Sequence, residues 1–131
     1  ASDDAQFGLP EVTRAIIPGA SGTQRLPRTI PLGIALELLM TGARIDAQKA
    51  LQYGLVNQVV PKAQVMDKAL EIAGLIAKNG PLAVRAVKEA AIRGLSLPIE
   101  NELSRRVLQS EDAREGPRAC AEKREPQYKG R

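Results

Sequence analysis

From residue 63 to the end of the chain the apolar residues recur at helical spacing and nowhere at strand spacing. That commits this half to amphipathic helices, each with an apolar face in need of a partner. In residues 63–78 Val65, Ala69, Ile72, Ala73 and Ile76 share one face, with Asp67, Glu71, Gly74 and Lys78 on the other. Asn79-Gly80-Pro81 then stops one helix and starts the next in a single step, because glycine suits a helix C-terminus and proline the first helical turn. Leu82, Ala83, Ala86, Val87 and Ala90 form the next apolar face, opposite Arg85, Lys88, Glu89 and Arg93, and Gly94 is the expected stop. Pro98 opens a last long helix whose narrow stripe of Ile99, Leu103 and Val107 suits docking on a partner. A short helical turn at residues 118–123 and an exposed tail, EPQYKGR, are expected to finish the chain.

The first half is more broken. Residues 5–9 read as a short edge strand stopped by Pro10, with no partner strand nearby in sequence. Ser21 or Thr23 can cap a short helix that Pro27 is expected to end. Pro31 opens a second helix running to Thr41, with Gly42 as its stop; its LGIALELLM core is apolar nearly all round and is expected to be buried. Asp46 caps AQKALQY, closed by Gly54, and residues 55–60 read as a strand ended by Pro61.

Composition narrows the chemistry. Only Phe7, Tyr53 and Tyr128 are aromatic in 131 residues, so the core must be aliphatic. There is no histidine and one cysteine, Cys120, which excludes Ser-His-Asp and Cys-His triads, a structural zinc cluster and an internal disulfide. Acid–base work falls to carboxylates, lysines or the backbone. No apolar run approaches the roughly 20 residues needed to cross a bilayer, and no signal peptide is visible, so a reducing, soluble compartment is expected. The whole net charge of +4 sits in residues 62–131, with Lys123, Arg124, Lys129 and Arg131 crowding the end. Interspersed acids and the scarcity of stacking aromatics argue against nucleic acid as the partner of those cations.

The chemistry-bearing segment is residues 7–28, FGLPEVTRAIIPGASGTQRLPR, where Glu11 precedes the turn Pro18-Gly19-Ala20-Ser21-Gly22 at a helix start. A carboxylate facing backbone N–H groups across a small cleft can move a proton or hold a water. Read alone, a glutamate after Pro10 is more often an exposed loop carboxylate, and Gly19 and Gly22 equally suit an ordinary turn; it is the flanking FGLP and PGASGTQRL that favour Glu11. No GK[ST] follows, so the turn is not a phosphate loop; Ser21, with no base in sight, is a cap rather than a nucleophile. Lys123 and Arg124 equally suit a solvated basic tail, and Cys120 a half-buried small hydrophobe.

Three motifs in this order, FGLPE…IPGASGTQRLPR, TGARIDAQKALQYGLVNQVV and SEDAREG…AEKREPQYKG, resemble the crotonase (enoyl-CoA hydratase/isomerase) superfamily over nearly the whole chain. The resemblance is to the C-terminal half of a subunit. It implies that Glu11 is the second catalytic glutamate, exchanging a proton at the α-carbon of an acyl-CoA thioester, and that the Gly19 N–H helps hold the attacking water. The first glutamate and both oxyanion-hole amides would lie upstream of residue 1. It also implies that Lys123, in Ala121-Glu122-Lys123-Arg124, contacts the phosphate of coenzyme A bound to a neighbouring subunit, while Cys120 stands where the family has Phe, offering the adenine less contact area.

The resemblance thus implies a mostly α fold with a small β remnant: the end of the ββα spiral core over residues 1–61 and a helical trimerisation segment over 62–131. The expected function is lyase-type, reversible syn hydration of a 2-enoyl-CoA, with no metal and no cofactor beyond the coenzyme A of the substrate. A homotrimer or dimer of trimers is expected, in the cytoplasm or, in a eukaryote, the mitochondrial matrix. A superfamily isomerase can work with one glutamate at this position, and a non-catalytic oligomerisation module remains the rival of another class.

Overall fold

The computed structural model describes residues 1–93 and 97–131, and the side chains of residues 97–100 lie outside that description. The helix stop at Gly94 and the place of Ile99 on its stripe therefore fall outside the described residues. Two compact units divide the chain, Ala1–Ala69 and Leu70–Arg131, and each is described by itself.

In the first unit strand β1 (Gln6–Gly8) finds its partner in β2 (Arg44–Asp46), far along the chain. The pairing is antiparallel, with Phe7 opposite Ile45, so the apolar residue of each strand faces the same core. Helix α1 (Gly22–Thr29) runs through Pro27 rather than ending there. Within it the Arg28 guanidinium and the Thr29 hydroxyl donate to the Gln24 and Arg25 carbonyls, at 2.6 and 2.9 Å, and the Ile30 N–H donates to the Leu26 carbonyl at its end. Nor does Ser21 cap α1 with its side chain; its carbonyl accepts instead from the N–H groups of Gln24 and Arg25, at 3.0 and 2.8 Å.

Helix α2 (Leu32–Thr41) ends where expected, at Gly42 in the left-handed conformation, φ +67°. Only Ala35 and Leu38 of α2 are buried; Leu32, Leu36 and Met40 are exposed, Met40 by 67%. The all-round apolar pattern thus meets a core on one side only. Helix α3 (Ala47–Gln52) starts at Asp46, whose carboxylate accepts the Lys49 N–H at 2.8 Å, and closes through Tyr53 and Gly54. The strand expected at residues 55–60 does not form. The N–H groups of Leu55 and Val56 fold back onto the Ala50 carbonyl, so only Val60 stays extended enough to bridge Ser2. The core is aliphatic, as composition requires: Ile30, Ala35, Leu38, Ile45 and Ala50, flanked by Phe7 and Tyr53.

Helix α4 (Val65–Ala77) spans the boundary between the units. No residue of α4 is buried, and Met66, Leu70, Ile72, Leu75 and Ile76 are exposed, so its sequence amphipathicity exceeds what this chain alone covers. In the second unit α5 (Pro81–Arg93) packs on α6 (Leu97–Leu108); Leu82, Ala83, Ala86 and Ala90 of α5 are half-buried, whereas Val87 is exposed. Leu103 of the expected stripe is buried and Val107 half-buried.

The chain then departs from expectation. In place of one turn there is a full helix, α7 (Glu111–Ala121), started by Ser110, whose hydroxyl oxygen accepts the Ala113 N–H at 3.1 Å. The tail is not free either. The two carboxylate oxygens of buried Asp112 accept the N–H groups of Lys129 and Gly130, at 2.7 and 2.8 Å, and the Glu111 N–H donates to the Arg131 carbonyl at 2.8 Å. These bonds fold the tail back onto the first turn of α7, and satisfying a buried carboxylate is what holds it there.

Candidate active site

Glu11 sits in a single 3-10 turn, Pro10–Arg14, for local reasons. Pro10 presets the first dihedral, the Thr13 hydroxyl donates back to the Pro10 carbonyl at 2.7 Å, and Ala15 closes the turn at φ +58°. The Ile16 N–H donates to the Glu11 carbonyl at 3.3 Å, so the backbone of Glu11 is held. Its side chain is not: the Oε2 oxygen is buried and has no hydrogen-bond partner among the described residues. A carboxylate oxygen taken out of water and left unpaired is costly, and such orphans call for an explanation.

Two glycines bring the surroundings of Glu11 together. A Cβ on Gly42 would stand 2.8 Å from Thr13 Cγ2 and 3.3 Å from the Pro10 backbone, so the end of α2 approaches the Glu11 turn as only glycine allows. A Cβ on Gly22 would stand 2.9 Å from Pro18 Cβ and 3.5 Å from the Leu9 methyls. Contact between Gly22 and Leu9 therefore seats the start of α1 against the residue two positions before Glu11.

Gly19 lies in the turn ahead of α1, exposed, its carbonyl accepting the Gly22 N–H at 3.0 Å. A Cβ there would meet nothing within 4 Å, so open space rather than packing surrounds it. Ala20 and Ser21, at φ +48° and +68°, are held in the left-handed region that costs non-glycine residues about 1–2 kcal/mol each. Beside this turn is an apolar cleft of about 400 Å³ walled by Phe7, Leu9, Gly22, Leu26, Leu38 and Ile45, with Arg25 as its charged margin. Glu11 and Gly19 do not line that cleft; Leu9 and Gly22 do.

Lys123 belongs to the second unit, at the end of α7. Its N–H donates to the Cys120 carbonyl at 3.2 Å and the Arg124 N–H to the Ala119 carbonyl at 3.1 Å, the pair of bonds that closes a helix around one left-handed residue. That residue is Lys123 itself, at φ +53°. Arg124 is no solvated tail cation: its guanidinium forks onto both Glu115 oxygens at 2.6 and 3.0 Å, and its Nε donates to Glu122 at 2.6 Å. The Arg124 fork, followed by the Gln127 N–H, holds the Glu115 carboxyl well below the usual range, at about 2. Arg118 and then Arg124 likewise lower Glu122. Cys120 is exposed rather than half-buried.

Asp112 and Glu115 organise this end of the molecule, and the sequence reading passed over both. A signal was present: Ser110 followed by Glu111 and Asp112 is a capping residue ahead of an acidic first turn. Among the described residues no group of acidic or cysteine side chains could hold a metal ion, and no helix is long and apolar enough to cross a membrane.

The family model for enoyl-CoA hydratase/isomerase matches residues 1–131. A carnitinyl-CoA dehydratase of Proteus mirabilis is 48% identical, over 99% of this chain and 54% of its own length. The carnitinyl-CoA dehydratase of Escherichia coli O157:H7 is 43% identical over the same shares. Among solved structures an enoyl-CoA hydratase from Bacillus anthracis superposes with a TM-score of 0.96 at 50% identity, over 99% of this chain and 53% of that one. The chain thus spans about half the length of the curated relatives it matches, and its mostly helical fold is that of crotonase-type proteins. On the match of its full length, the chain belongs to the enoyl-CoA hydratase/isomerase family.

Proposed function

We propose that the whole protein catalyses the reversible syn addition of water to a 2-enoyl-CoA, with Glu11 exchanging the proton at the α-carbon. The observation that carries this is the Glu11 Oε2 oxygen, sequestered on a braced turn and unpaired among the described residues. A carboxylate so placed is available to a proton donor or acceptor that arrives with the substrate.

Hydration needs two proton movements. One carboxylate takes a proton from water as its oxygen bonds the β-carbon; the other delivers a proton to the α-carbon as the enolate collapses. Glu11 takes the second role, and the N–H of Gly19, an exposed turn residue, takes the water. The first carboxylate and the oxyanion-hole amides, which stabilise the developing enolate, belong to the share of the relatives' length that this chain does not span. The names of the curated relatives favour the same chemistry run toward water loss.

Lys123 is the contact for the phosphate of the coenzyme A handle. Exposed apolar side chains along α4, including Leu70 and Leu75, support assembly with further copies, a trimer or dimer of trimers. The bacterial source of the relatives supports a cytoplasmic location.

The test is loss of conjugated-thioester absorbance from a short 2-enoyl-CoA with the complete protein. Glu11→Gln should lower kcat about 10²–10⁴-fold, the usual scale for one acid–base group. An unchanged rate removes Glu11 from the reaction, and a product with a migrated double bond instead of a hydroxyl establishes the isomerase. The 131-residue chain by itself should show no turnover; hydration by it would refute the assignment of the first carboxylate elsewhere.

A further inference from the structure

Lys123 occupies a backbone conformation that glycine would adopt without strain, and the residues on either side of it are immobilised while its own ammonium is not. Glu122 accepts from Arg118 on one oxygen and from Arg124 on the other, at 2.9 and 2.6 Å. Arg124 is forked onto Glu115, and Glu115 also accepts the Gln127 N–H at 2.9 Å, which fixes the chain just beyond the turn. Among the described residues Lys123 itself has no carboxylate partner. The four other side chains therefore neutralise one another and leave a single cation projecting from a rigid turn. A flexible lysine loses rotamer and backbone freedom when it grips an anion, and a turn already locked removes the backbone share of that cost.

We propose that Glu115 is the positioning residue for Lys123: its bidentate grip on Arg124 locks the left-handed turn at residues 122–124 and so presents the Lys123 ammonium to a phosphomonoester on the ligand's nucleotide handle. This rests on the reading of Lys123 given above and adds the residue through which that contact is organised. Arginine is required at 124 because only its planar fork can hold both Glu115 oxygens and Glu122 at once; lysine would supply the charge without the geometry.

The experiment titrates the complete, assembled protein with adenosine 3′,5′-bisphosphate and, separately, with adenosine 5′-monophosphate, following the backbone amides of residues 119–127 by NMR. The readout is the ratio of the two affinities, which isolates the added phosphomonoester; a merely structural loss would weaken both ligands together. Wild type should prefer the bisphosphate, and Lys123→Ala should lose that preference by about threefold to tenfold, as expected for one exposed charge-assisted contact. Glu115→Gln should lose it to a similar degree with Lys123 still present, and the Lys123 amide should leave its wild-type position in the spectrum.

If Glu115→Gln keeps the preference while Lys123→Ala loses it, the proposal is overturned and the reading of Lys123 stands. If wild type shows no preference, or Lys123→Ala retains it, that reading fails and the proposal with it. Should Glu115→Gln not fold, Arg124→Lys decides: loss of the preference with charge retained supports the positioning role, and its survival refutes it.

Discussion

Gly42 and Thr13 are in a contact that only glycine permits, a Cβ at residue 42 falling 2.8 Å from Thr13 Cγ2. The contact links the C-terminal stop of α2 to the turn that carries Glu11, so a residue whose first duty is to end a helix also fixes the position of the proposed acid–base group. The left-handed φ of +67° and the close approach demand glycine independently.

Gly42→Ala should therefore cost about 2–4 kcal/mol, from a strained left-handed residue plus overpacking against the turn. Urea denaturation of the chain checks the magnitude. In the complete protein the same change should lower kcat without touching the substrate, because Glu11 moves with its turn.

Glu11→Gln should not destabilise the chain at pH 7 and should raise its stability by up to about 1 kcal/mol, since the buried oxygen has no partner to lose among the described residues and the amide carries no charge to desolvate. A drop of more than about 1 kcal/mol in the same denaturation experiment would reveal a structural role for the carboxylate.

Ser21→Gly should stabilise the first unit by about 0.5–1 kcal/mol. Ser21 sits at φ +68° and its hydroxyl makes no cap bond, so the substitution relieves strain and forfeits nothing but some unfolded-state restriction. Denaturation midpoints of the two chains compare directly.

Asp112→Ala should release the tail, removing the acceptor of both the Lys129 and Gly130 N–H groups at a cost of about 2–4 kcal/mol, as for hydrogen bonds to a charged group. Hydrogen exchange at residues 129 and 130 should rise toward that of an unfolded chain while the amides of α5 stay protected.

Acid should loosen the Glu115 grip only at very low pH. The Glu115 carboxyl is depressed from 4.5 to about 2, first by Arg124 and then by the Gln127 N–H. A depressed carboxylate contributes stability that is present above about 4.5 and is lost as pH falls through about 2. The Gln127 amide, which donates to Glu115 Oε1, should therefore titrate with a midpoint near 2 rather than near 4.5. In Glu115→Gln that transition should vanish.

What the sequence determined by itself is local. Asp46 as the cap of α3, Gly42 as the stop of α2 and the Gly80-Pro81 changeover between α4 and α5 each depend on dihedrals and hydrogen bonds within a few residues, and they stand as read. The helical spacing after residue 62 is legible for the same reason. Tertiary structure decided everything that depends on a distant partner. β1 pairs with β2 across most of the first unit, while residues 55–60, with equal strand character, turn back onto Ala50. Proline ended no helix at residue 27: α1 runs on to Thr29, with the Ile30 N–H bonded to the Leu26 carbonyl. The tail looked free because the residues that hold it, Asp112 and Glu115, act through carboxylates more than ten positions away. At the site, the sequence could point to Glu11 as a carboxylate beside a glycine turn; only the packing shows that one of its oxygens is buried with no partner among the described residues, because burial is a property of the folded surroundings and not of the residue.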